Sequence, residues 1–145
     1  MRYLVATDSV HTTAAACDYL EPRLDPDDEV DVLTVVAPND DAAGADGAPG
    51  SPSSNRDAGD AGNVAAARLA GRATVETLVR EGEPAGTVRS VGDRRDADVV
   101  LVGVHGGRPG AGPGLGSVAR SVLEGADRPV VVLPLPSLGG NGEGV

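Results

Sequence analysis

The chain has 145 residues, a single cysteine, two tyrosines, no phenylalanine and no tryptophan, and its 22 acidic residues outnumber 12 basic ones, all arginine, for a net charge of −10. That length suits one domain with a sizeable core, and the absence of any apolar run near the roughly eighteen residues of a membrane span points to a soluble domain with no membrane anchor. Lone Cys17 excludes an internal disulfide, the N-terminus is too short in its apolar part for a signal peptide, and no basic patch is available for nucleic acid, so a cytoplasmic protein without a nucleic-acid partner is expected.

The first element is "RYLVAT" (2–7), a short run of strand formers. "SVHTTAAACDYLEP" then sets Val10, Ala14, Cys17 and either Ala16 or Leu20 at helical spacing, with Asp8 or Ser9 as N-cap and Pro22 beyond the end. A second strand covers 30–36. Residues 38–56 are Gly, Pro, Ser, Asp and Ala with almost no large apolar side chain, which predicts a mobile loop. An alanine-rich helix over 57–70 ends at Gly71, a C′ glycine.

A third strand over 73–79 leads to a short helix opened by Pro84 and carrying Val88 and Val91. A fourth strand (98–104), a fourth helix (117–125) and a fifth strand (128–134) complete the pattern, and 137–145 reads as a disordered tail. The last two strands are near-continuous valine and leucine, as in parallel strands buried on both faces. Strand and helix alternating in this way predict a single α/β domain over 1–136, an open five-stranded parallel sheet with helices on both faces.

Between the fourth strand and fourth helix lies "GVHGGRPGAGPGLGS" (103–117), in which seven of fifteen residues are glycine. It is not a Walker loop, since the chain has no lysine, and it lacks the Rossmann G-x-G-x-x-G after a first strand. Gly103 and Gly106 let the chain leave a buried strand and let a ligand approach the backbone. Gly116 and Ser117 present amides at a helix N-terminus, which outlines an anion site.

Gly103, Gly106, Gly116 and Ser117 match in full the G-x2-G-x9-G-[ST] pattern of the nucleotide-binding branch of the universal stress proteins, and His105 stands where that branch often has histidine. "YLVATDSV", "VDVLTVVAP", "VREGEPAGTV", "DADVVLVGVHG" and "RPVVVLP" resemble successive segments of the same family. Only 38–56 and the tail have no counterpart. The resemblance implies strand order 3-2-1-4-5, and in such a sheet ligands bind at the carboxyl ends of strands 1 and 4, where the winding reverses.

The resemblance also assigns roles. Ala6, Thr7 and Asp8 match the loop beside the adenosine, with the Asp8 carboxylate accepting ribose hydroxyls, and Val35 matches the residue whose backbone faces the adenine edge. Gly103, Gly106, Gly116, Ser117 and Val118 match the phosphate cradle, with Mg²⁺ bound through the phosphates. Bland readings stand beside these: Asp8 and Ser117 as helix caps, His105 as a loop residue, His11 as solvent-facing and Cys17 as a small core residue.

In "GRPGAGPGL", Gly107 takes the family's basic position and Arg108 follows it, so Arg108 is the residue placed to meet phosphate, and ordering so glycine-rich a spacer costs entropy on binding. The expected function is that of an ATP- or AMP-binding regulatory module with no catalytic residue, at most a slow ATPase, which dimerises through the strand at 128–134. Its acidic, lysine-free composition resembles that of salt-in halophiles and suggests a halophilic archaeon. One alternative is a nucleotide-free family member acting as an interaction module. Another is an ATP-using enzyme of the adenine-nucleotide hydrolase group, against which the lack of an S-G-G-x-D/S loop in "ATDSVHTT" counts.

Overall fold

The computed structural model describes residues 1–36, 52–104 and 116–134, with side chains from 59 onward in the second range. Strand and helix alternate through them: β1 (Arg2–Ala6), α1 (Val10–Leu20), β2 (Glu29–Val36), α2 (Pro52–Leu69), β3 (Thr74–Glu81), α3 (Pro84–Arg94), β4 (Val99–Gly103), α4 (Ser117–Glu124) and β5 (Val130–Leu133). All strand pairs are parallel, and the sheet runs β3-β2-β1-β4-β5.

Period-2 alternation sends successive strand residues to opposite faces, and both faces are covered. Tyr3, Val5, Val30, Val32 and Leu101 meet Ala16, Cys17 and Leu20 of α1 and Ala65 and Leu69 of α2. Leu4, Leu33, Leu78, Val100 and Val102 meet Val88 and Val91 of α3 and Ala119 and Val122 of α4. Each fully buried leucine or valine contributes about 1.5–3 kcal/mol.

Two expectations shift. The buried face of α1 is Thr12, Thr13, Ala16, Cys17 and Leu20, while Val10 is 37% exposed and Ala14 only half-buried. Hydroxyls that find partners near the N-cap bury there in place of Val10. Helix α2 starts at Pro52, inside the segment expected to be loop up to residue 56. Ala61, Ala65 and Leu69 anchor its second half in the core, and extending an anchored helix backward is far less costly than nucleating one; proline also suits the first turn. Gly71 does end this helix, at φ +79°.

Side chains tie the layers together. Arg68 of α2 reaches α1 through Glu21 Oε2 (2.9 Å), Asp18 Oδ1 (2.8 Å) and the Ala14 carbonyl (3.3 Å). At the amino-terminal end of the sheet, buried Asp31 accepts Arg95 Nε and Nη2 at 3.0 and 3.1 Å and Arg2 Nη1 at 3.0 Å. Arg95 also meets Glu76, and Arg2 meets Glu29. Asp31, and after it Glu76, hold the Arg95 guanidinium more firmly protonated than usual.

Candidate functional site

Helices α1 and α2 cover one face and α3 and α4 the other, so the winding reverses between the neighbouring strands β1 and β4. Ala6, the last residue of β1, lies opposite Leu33 of β2 and Val102 of β4. The residues that follow β1 and β4 therefore emerge side by side.

On the β1 side the Thr7 amide donates to the Leu33 carbonyl at 2.9 Å, which extends the ladder one residue past the strand. The Thr7 side chain turns inward at 6% exposure. Its hydroxyl lies 2.8 Å from the Ser9 carbonyl and 2.9 Å from Thr13 Oγ1, which is itself 3.1 Å from that carbonyl. Two hydroxyl protons thus serve three contacts, and the turn between strand and helix is fixed from inside.

Ser9 is the N-cap of α1 and accepts the Thr12 amide at 3.3 Å. The two capping candidates in the sequence resolve to Ser9, and Asp8 stands exposed between buried Thr7 and the cap. The Thr12 hydroxyl, on a residue only 2% exposed, donates to Asp8 Oδ1 at 3.2 Å.

On the β4 side Gly103 pairs in register with Leu133, and the Val104 amide donates to the Leu133 carbonyl at 2.9 Å. The Gly116 amide then donates to the Val104 carbonyl at 2.7 Å. That bond corrects one expectation: the Gly116 amide closes the base of the loop and is not presented to a ligand. Gly116 is also the N-cap of α4, with φ −69°, ψ 163° and no side-chain cap bond, so Ser117 is the first helical residue and not the cap. Ser117 and Val118 are both exposed, and the amides of such a first turn have no partner within the helix.

Val35 is the penultimate residue of β2, partly buried against the α3–α4 layer. His105, Gly106 and Arg108 lie outside the described residues, as do most of the loop at 38–56 and the tail at 137–145. His11 is exposed and Cys17 is buried, with its thiol pushed up to about 11 by burial.

Sequence reading missed the supports. The i, i+4 spacing of Asp8 and Thr12 was a usable signal for one of them; nothing local announces the bond from Gly116 to Val104. Elsewhere, a cavity of about 190 Å³ opens at the amino-terminal ends of β4 and β5 among Val88, Arg89, Gly92, Val122 and Arg128. Its arginines are engaged with the fold: Arg128 binds the Gly92 and Ala97 carbonyls at 2.9 and 2.6 Å, and Arg89 the Ser121 carbonyl at 2.9 Å. No helix among the described residues is long and apolar enough to cross a membrane.

The profile of the universal stress protein family matches residues 1–134. No curated protein matches the sequence. Among solved structures, a hypothetical protein that was the subject of a structure-based assignment of function superposes with a TM-score of 0.73 at 18% identity, covering 94% of this chain and 96% of that one. A universal stress protein in complex with cAMP gives 0.65 at 20% identity over 94% and 98%. A universal stress protein family member from Arabidopsis thaliana with AMP bound gives 0.64 at 13% identity over 94% and 92%.

Proposed function

This chain belongs to the universal stress protein family, and on that premise we propose that it is a regulatory module that binds ATP or AMP in the crevice at the carboxyl ends of β1 and β4. The observation that carries the reading is the convergence there of the Asp8 carboxylate, which follows β1, and the α4 N-terminus, which is tied to the end of β4. A carboxylate suits a ribose diol, because it only accepts hydrogen bonds and each hydroxyl can donate one. A helix N-terminus suits phosphate, because its amides and dipole both favour an anion. Structural relatives with cAMP and AMP bound support the choice of base.

In this arrangement Asp8 accepts the ribose hydroxyls, with Ala6 and Thr7 lining the adenosine and the Val35 backbone facing the adenine edge. Gly103 and Gly106 give the phosphates room, the Ser117 and Val118 amides hold them, and Gly116 fixes where those amides sit. His105 and Arg108 fall in the same stretch of sequence, between Gly103 and Gly116, and Arg108 supplies its positive charge. Mg²⁺ arrives with the phosphates and neutralises part of their charge. Turnover is slow or absent in this reading, since no general base is paired with a nucleophile among the described residues of the crevice.

Two such modules pair through the edge strand within 128–134. Val130, Val131 and Val132 are only partly buried there, and an apolar edge left open invites another strand. The acidic, lysine-free composition fits the cytoplasm of a halophilic archaeon. Calorimetric titration of the folded protein with AMP, ATP and Mg²⁺ in molar KCl tests the reading: saturable binding is expected. A folded sample that takes up neither nucleotide would leave the interaction-module alternative standing, and rapid product formation from ATP would favour an enzyme.

A further inference from the structure

We propose that Thr12 is a positioning residue that orients the Asp8 carboxylate for the ribose diol; the inference rests on the nucleotide reading above. Thr12 Oγ1 has one proton, and it goes to Asp8 Oδ1 at 3.2 Å. The 3.4 Å contact between Thr12 Oγ1 and Ser9 Oγ must then run from serine to threonine. Ser9 Oγ in turn accepts the Thr12 amide at 3.3 Å, so the chain of donors has one direction: Thr12 N–H to Ser9, Ser9 O–H to Thr12, Thr12 O–H to Asp8.

Hydrogen bonds in such a series polarise one another, and a bond to an ionised acceptor is stronger than one between neutral groups. Thr12 is only 2% exposed, and burial with bonds to Ser9 and Asp8 selects one of the two χ1 rotamers open to a helical threonine. The exposed Asp8 carboxylate has one of its partners in the Thr12 hydroxyl. Bound to a fixed hydroxyl on the first turn of α1, it is pre-organised, and binding a diol costs less side-chain entropy. Position 12 thereby helps to set how strongly the protein distinguishes a ribose from a sugar without hydroxyls.

The test compares affinities of wild type, Thr12→Val, Thr12→Ser and Asp8→Ala for AMP and for 2′,3′-dideoxy-AMP by calorimetry, with thermal unfolding of each variant alongside. Valine keeps the shape and removes the hydroxyl. Thr12→Val is expected to bind AMP about fivefold more weakly, the effect of one lost hydrogen bond, and dideoxy-AMP as wild type does. Thr12→Ser is expected to restore AMP binding. Equal losses for both nucleotides would make Thr12 merely structural and overturn the inference, as would unchanged AMP binding by Thr12→Val while Asp8→Ala loses affinity. No AMP binding by folded wild type would remove the nucleotide reading and this inference together, whereas AMP binding by wild type with Asp8→Ala indistinguishable from it would overturn this inference alone.

Discussion

Gly116 donates its amide hydrogen to the carbonyl of Val104 at 2.7 Å, and that bond ties the start of α4 to the end of β4 across the segment 105–115. Gly116 sits at φ −69°, close to the angle proline imposes, so Gly116→Pro removes the donor while keeping this dihedral. The variant should lose about 1 kcal/mol of stability in denaturant titration. Its affinity for ATP should fall while its affinity for adenosine holds. Gly116→Ala keeps the amide and its bond, so it should hold ATP affinity while losing about 0.5 kcal/mol, alanine being a poorer N-cap than glycine.

The cluster around Asp31 should matter for stability alone. Arg95→Met removes the bidentate partner of a carboxylate that is 1% exposed, but leaves Arg2 on Oδ2. A loss of about 3 kcal/mol is expected, at the low end for breaking a buried pair because one arginine remains. Nucleotide affinity should not change, since the cluster lies at the opposite end of the sheet from Asp8. Denaturant titration and calorimetry on the same variant check both halves.

Cys17 supplies a pH dependence with a definite sign. Burial pushes its thiol from the ordinary 9.0 up to about 11. Between those values the unfolded chain has released the proton and the native one has not, so stability should fall as pH rises from 9 to 11. The slope of Tm against pH in that window should be shallower in Cys17→Ala. At pH 8 the native thiol should react with a disulfide reagent only as fast as the chain opens.

Salt should strengthen nucleotide binding. A chain of net charge −10 repels an anionic ligand, and raising KCl from 0.1 to 1 M shortens the screening length from about 10 Å to about 3 Å. ATP affinity should therefore rise across that range, with adenosine affinity nearly flat. A steady fall, as for a site built on clustered cations, would mean that arginine contacts dominate the phosphate end.

Much of this was legible along the chain because it is written in local patterns. The apolar run in "RYLVAT" and the valine runs near 100 and 131 mark strands, the one near 100 buried on two sides, and Pro84 and Gly71 punctuate helices where they were expected to. Strand order 3-2-1-4-5 came from the family resemblance, and the sheet has it. The start of α2 was missed because 52–56 is poor in apolar residues, and its helical state depends on an anchor formed further on by Ala61, Ala65 and Leu69. The face of α1 was missed because Thr12 and Thr13 count as polar until their partners Asp8, Ser9 and Thr7 are in place. The role of the Gly116 amide depends on a carbonyl twelve residues away, and spacing alone does not show it.

The placement of the nucleotide site is open to a single measurement: amide chemical-shift mapping of ¹⁵N-labelled protein titrated with AMP in molar KCl. Saturable shifts are expected at Thr7, Asp8, Ser117 and Val118, with Asp31, Arg95 and the residues around the Val88–Val122 cavity unmoved. Shifts confined to that cavity, or none at millimolar AMP in a folded sample, would show that the crevice between β1 and β4 is not where this protein meets an adenine nucleotide.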